Sequence, residues 1–295
     1  TLQLTYAPLF FGGFLTAALH LSENGRHPLP LGPMLLAAIA VSLIAERLAP
    51  YQPAFNQPRG DTRRDLAHAL VNELSNTLSV IAMPLVVAAL PSLGGWPLAW
   101  PTWAQLTLAI LIADAGITLA HFASHRSALL WRFHAVHHSV QRMYGLNGLM
   151  KHPFHQAFEL TAATIPLVLL GLPQPVAWLL TFAVAIQLLL QHSNVELRVG
   201  PLGRMWAVAP VHRFHHLALA GEGDVNFGLF TCLWDHLLGT FRQKPGRSFG
   251  PGDLGVTGRP DYPRTYLAQL AEPFRAAPHP EGGRQLQGND ARVRQ

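Results

Sequence analysis

Along the first two thirds of the chain, long apolar runs alternate with short polar breaks. Leu4–Leu21, Leu29–Leu48, Leu66–Leu90 and Ala104–Phe122 each come close to the roughly 20 residues a helix needs to cross a bilayer. A fifth run, Ala157–Leu190, is broken by Pro166, Gly171, Pro173 and Pro175. That punctuation predicts a helical hairpin turning at Gly171–Pro175. The expected fold class is all-α: an integral membrane helical domain of about four spans plus a helical hairpin. Three regions follow: N-terminal transmembrane helices over 1–103, a chemistry-bearing unit over 104–243, and a Pro/Gly/Arg-rich extension over 244–295. The extension has little periodicity, and its end, Ala276–Gln295, reads as a disordered tail.

Composition supports a lipid-solvated protein. Only 13% of the residues are charged and 49% are hydrophobic, against about 25% charged in soluble domains. The net charge of +5 does not imply a nucleic-acid partner, because the basic residues do not gather on one surface. They sort by membrane side instead. The segments 22–28, 91–103 and 171–175 hold Arg26 and no other Lys or Arg. The positive-inside rule then puts both termini and the polar segments after the fourth span in the cytoplasm. High Ala, Leu, Pro and Arg usage is compatible with a GC-rich bacterial source, and the expected location is a bacterial inner membrane. Cys232, the one cysteine, excludes an internal disulfide and a cysteine-based metal cluster, and reads as a small buried apolar residue.

The candidate chemistry lies in the histidines. Of 16 in the chain, most fall between His121 and His216. His121 and His125 stand at i and i+4 near the cytoplasmic end of the fourth span, where two imidazoles share a helix face. His134, His137 and His138 form an H-x-x-H-H box, and His212, His215 and His216 repeat it. In a helix this spacing presents three imidazoles on nearly one face. His192, just after a span, brings the set to nine, too many for one metal and enough for two. His152 is either a tenth ligand or a group that orients the site. His155 is balanced between the surface and the site's periphery. Isolated histidines such as His20, His27, His68, His236 and His279 read as structural. Among polar residues within spans, Asp114 lies two turns before His121 and is expected to hydrogen-bond a ligand histidine or anchor the helix end. His68 and Asn72 share a face of the third span and read as interhelical packing.

Imidazole suits zinc, copper, iron and nickel alike. The only acids between His121 and His216 are Glu159 and Glu196, which argues against carboxylate-bridged di-iron bundles. The zinc-protease helix motif H-E-x-x-H is absent, as are G-x-S-x-G, the Walker loop and the dinucleotide glycine fingerprint.

The segments His121–His125, Leu130–His138, Lys151–Pro153, Gln191–Asn194, Val211–His216, Asn226–Gly228, Leu233–Asp235 and Gly239–Phe241 together resemble the fatty acid hydroxylase / sterol desaturase superfamily. The resemblance covers roughly Ala113–Phe241. It implies a non-haem centre of two iron ions on the cytoplasmic side, with zinc able to substitute in purified protein. The implied ligands are His121, His125, His134, His137, His138, His192, His212, His215 and His216, with His152 a further candidate. Asn194 and Asp235 match supporting positions around the ligands. Phe122 departs from the pattern, since many relatives carry Arg there. The implied reaction is oxygen-dependent hydroxylation or desaturation of a lipid such as an acyl chain, an aminolipid or a sterol, or cleavage of an ether lipid. Electrons would come from an external donor such as a ferredoxin, a rubredoxin or a cytochrome b5-like protein. Arg132, Lys151 and Arg213 are candidates to meet an anionic headgroup or an acidic carrier, or simply the inner leaflet. Two other classes use the same histidines. A zinc-dependent membrane hydrolase would activate water, and a metal transporter would line a path across the bilayer, whereas every box here falls at one side.

Overall fold

In the computed structural model, residues 2–275 are described, apart from 26–27, 92, 220–221 and 245. The tail expected to be disordered, Ala276–Gln295, lies outside the described residues. The described chain is helical, with isolated bridges and no strand. The long helices are α1 (Leu2–Glu23), α2 (Leu31–Leu48), α3 (Thr62–Ala89), α4 (Thr102–Arg126), α6 (Pro153–Leu170) and α7 (Gln174–Gln191). Shorter ones are α5 (Ala128–His138), α8 (Ala209–His215), α9 (Leu233–Leu238) and α10 (Tyr266–Ala271). Five helices, α1, α2, α3, α4 and α7, are long and apolar enough to cross a membrane.

The expected hairpin is α6 and α7. Gly171 ends α6 at φ 91°, a left-handed cap that a Cβ would strain, and Leu172 N–H donates back to Leu167 O. Pro173 then prepares the start of α7. α7 is the central helix, touching α1, α2, α3 and α4. It is 72% buried, whereas α1 and α3 are 22% buried and turn rows of leucines outward. α4 packs most extensively on α6. Gly116 permits this: a Cβ there would stand 2.3 Å from Ala162 O.

The ends of these helices carry a polar cap that holds the histidines. α4 breaks at Ser127, whose Oγ accepts from Leu130 N–H and starts α5 at once. The loop after α5 is fastened from α2 and α3. Glu46 accepts from Gly145 N–H at 2.6 Å, and Asn72 Nδ2 donates to Leu149 O and Lys151 O. Arg142 forms a two-pronged pair with Asp61 at 2.8 Å on each arm. The segment from 246 to 275, which shows little sequence pattern, wraps back over the cap. Its Gln269 is fully buried and donates to Ser139 Oγ and Pro263 O.

Candidate metal centre

Nine of the ten candidate histidines gather into two groups, and each H-x-x-H-H box is split between them. His121 and His125 of α4, His134 and His138 of α5 and His215 of α8 form the first. His137, His192, His212 and His216 form the second. Within each group the donor nitrogens lie within 4.8 Å of one another. The helical repeat explains the split. In each box the i, i+4 pair faces one group, while the middle histidine, about 60–100° around the helix, faces the other. The two groups therefore share α5 and α8, and His137 and His138 sit edge to face with ring centroids 5.9 Å apart. The expectation of three rings converging from one face gives way to this division.

The rings are held from behind by backbone and amide oxygens. His121 Nδ1 donates to Phe227 O at 2.9 Å, His215 Nδ1 to Val225 O at 2.8 Å and His137 Nδ1 to Met150 O at 2.9 Å. His192 Nδ1 donates to Asn147 Oδ1 at 2.9 Å, and His125 Nδ1 to Asp224 Oδ1 at 2.9 Å. An oxygen that only accepts places the proton on Nδ1 and leaves Nε2 a bare lone pair. His121 Nε2 and His215 Nε2 nevertheless face each other at 2.9 Å. Two lone pairs cannot bond each other at that distance, whereas a cation between them resolves the repulsion. Nε2 separations of 2.9–3.1 Å recur between His121 and His134, His125 and His138, His138 and His215, and His212 and His216. Such edges suit nitrogens each about 2.1 Å from a shared ion. His192 Nε2 is buried with no protein partner. The residues present fit metal ions.

Burial keeps this cluster neutral. His134, His138, His192, His212, His215 and His216 are held well below the ordinary imidazole value of 6.5, by burial first and then by the charge of neighbouring histidines. His137 falls to about 3 through burial and then the nearby Lys151 charge.

His152 stands outside both groups. Its Nδ1 accepts from Phe154 N–H and caps α6, and its Nε2 faces Leu270 O. Its position before Pro153 makes it a capping residue turned away from the other rings. Asp114 does not reach a histidine. It accepts from the N–H groups of Leu229, Phe230 and Thr231 and from Thr231 Oγ1. Asp235 accepts from Phe227 N–H and Gly228 N–H. These two carboxylates shape one loop from opposite ends, with Asn226 at φ 56° and Gly228 so close that a Cβ would meet Thr231 O at 2.1 Å. The loop presents Val225 O and Phe227 O to His215 and His121. Asn194 binds Gln52 and Asn56 and fixes the α2–α3 connection beside His192. Lys151 pairs with the buried Glu159, and Arg213 lies over Tyr51 and donates to Ser193 O. Neither is free for an anionic headgroup, because both are buried; Arg132 donates to Pro273 O.

Sequence reasoning passed over Asn147 and Asp224, which touch ligand-forming rings, and left His155 undecided. His155 is buried, its ring 4.3 Å from that of His134 and its Nε2 3.1 Å from Ser124 Oγ. A void of about 10 Å³ lies where the groups meet, lined by His121, His134, His137 and His212, by Lys151, Glu159 and Gln191, and by Ile117, Leu188, Phe227 and Leu229.

A helical membrane protein with two buried all-histidine groups at one end is thus defined. Residues 106–240 match the fatty acid hydroxylase family. The chain is 36% identical over 269 residues to ornithine lipid hydroxylase OlsE of Rhizobium tropici, a match covering 88% of this chain and 80% of that protein. It is 31% identical over 146 residues to alkylglycerol monooxygenase of Danio rerio, and 28% over 149 residues to that of Homo sapiens. Those matches cover 50% of this chain and 31% and 32% of the relatives. No solved structure matches. The chain belongs to the fatty acid hydroxylase family.

Proposed function

We propose that this protein is an oxygen-dependent membrane hydroxylase acting on a lipid of the ornithine-lipid class, with two iron ions held by the histidine groups. The observation that carries the reading is the pair of converging all-nitrogen groups, joined to likeness along 80% of a bacterial lipid hydroxylase. The match to the alkylglycerol monooxygenases is confined to half of this chain, so an aminolipid is favoured over an ether lipid. Nothing in the site or among the relatives favours the zinc hydrolase.

His121, His125, His134, His138 and His215 would hold one ion, and His137, His192, His212 and His216 the other. Bound there, an iron pair supplies reductive oxygen activation and abstraction of hydrogen from an unactivated C–H bond. The protein's own part is positioning. Phe227 O, Val225 O and Met150 O fix three rings with their lone pairs inward, and Asn147 and Asp224 fix two more. Ile117, Leu188 and Phe227 place apolar side chains beside the histidines, on the same lining as Lys151, Glu159 and Gln191. With the groups at the cytoplasmic face, the lipid enters from the inner leaflet and an external carrier delivers electrons from the aqueous side.

The test is lipid mass spectrometry of cells with and without the chain, paired with iron analysis of the purified protein. A +16 shift confined to the ornithine-lipid fraction, with about two irons per chain, is expected. His137→Ala and His215→Ala should remove the shift while membrane insertion persists. An unchanged shift in both variants overturns the reading.

A further inference from the structure

A second basic site lies outside the metal centre, in a cleft of about 170 Å³ between the loop into α3, the end of α5 and the C-terminal segment. Arg59, Arg64, Arg259 and Arg264 line it, with Ser139 and Tyr262. A shallower extension of about 530 Å³ shares Arg59, Arg259 and Arg264. Asp61, the only carboxylate in the lining, is taken up by Arg142. Arg64 pairs with Asp65, and Arg259 with Asp261 and Glu272. Arg59 and Arg264 are exposed, and among the described residues neither forms an ion pair. Tyr262 adds an independent sign of a ligand. It is 8% exposed, and its hydroxyl is buried without a hydrogen-bond partner. A buried donor left unmade is unfavourable, and in a cleft lined by four arginines an acceptor oxygen of an anion would satisfy it.

The surroundings identify the source. On α3, directly after Arg63 and Arg64, Leu66 and Leu70 are 56% and 67% exposed, and Leu267 of α10 is 75% exposed. Outward-turned apolar residues thus follow the cleft-lining Arg64 two and six positions along α3. We propose that it binds the anionic headgroup of a membrane lipid, whose oxygens accept from Tyr262 and pair with Arg59 and Arg264. Because Ser139 follows His138 directly, the bound headgroup would lie against the end of α5. The site is separate from the metal centre and stands or falls without it.

The test uses the full chain in neutral micelles, titrated with short-chain phosphatidylglycerol, short-chain phosphatidylcholine, inorganic phosphate and polyglutamate. Phosphatidylglycerol should bind and phosphatidylcholine should not. The double variant Arg59→Gln/Arg264→Gln should weaken phosphatidylglycerol binding about tenfold or more. Tyr262→Phe, which removes one oxygen and leaves the ring packing, should weaken it a few-fold with an unchanged melting temperature. Equal affinity in wild type and both variants overturns the site. Inorganic phosphate binding as tightly as the lipid overturns the lipid assignment, and so does polyglutamate binding in place of both.

Discussion

At the scale of single residues, the supports of the rings matter as much as the rings. His192 carries its proton on Nδ1 because Asn147 Oδ1 accepts it. Asn147→Leu keeps the branching of the side chain but removes that acceptor, together with the Asn147 bonds to Tyr144 N–H and Arg142 O, and so frees the ring to rotate and leaves its other tautomer available. Removing such an outer partner typically lowers metal affinity or activity about 10–100-fold. Iron titration of Asn147→Leu against wild type should show weaker binding of one ion of the two, and equal binding of both would refute the role. Asn147 was not legible beforehand because it lies 45 residues from His192, and nothing local marks the contact. Acid acts on the same rings. The unfolded chain takes up protons as pH falls through about 6.5, while the folded His137 resists until about 3. The stability tied to its neutral burial is therefore complete above about 6.5 and is lost as pH falls toward 3. Melting temperatures of the metal-free protein in micelles should be level from pH 8 to 7 and should decline from pH 6 to 5. A flat profile over the whole range would contradict the buried, neutral state.

At the scale of elements, the hydrophobic periods marked the spans and the hairpin turn, because lipid contact and the break at Gly171 are written locally. The spacing of the boxes marked which histidines gather. It did not reveal that each box serves both groups, since that depends on how α5 and α8 are oriented against α4 and α7. Nor did it place Asp114, whose partner loop lies 115 residues or more along the chain. α4 also packs on α6, and at Gly116 the two helices approach closely enough that a Cβ would meet Ala162 O at 2.3 Å. Gly116→Val would push Cβ into the Ala162 backbone and separate the helices. Overpacking of this kind costs about 1–3 kcal/mol, visible as a lower melting temperature in micelles. Because His121 and His125 ride on α4, iron bound to the first group should fall with it. Iron retention alongside normal stability would show that the helices have room to part.

At the scale of the whole molecule, the proposed inward-facing site rests on charge asymmetry, and the structure supplies positions at which to test it. The histidine groups, the α2–α3 loop and the basic cleft lie at one end, whereas the α1–α2 turn and the Gly171 turn lie at the other ends of their helices. A dipolar arrangement of this kind inserts with its arginines on the cytoplasmic side, because carrying them across the bilayer is opposed by both desolvation and the membrane potential. The chain has one cysteine, Cys232, and it is fully buried, so a Cys232→Ser background leaves no native thiol to label. Glu23→Cys, at the end of α1, and Gln57→Cys, in the α2–α3 loop, then place one exposed reporter at each end of the bundle. A membrane-impermeant maleimide added to intact cells should label Glu23→Cys and spare Gln57→Cys until the membrane is opened. The reverse pattern would put the metal centre outside, away from cytoplasmic reductants, and would remove the proposed route by which electrons reach it.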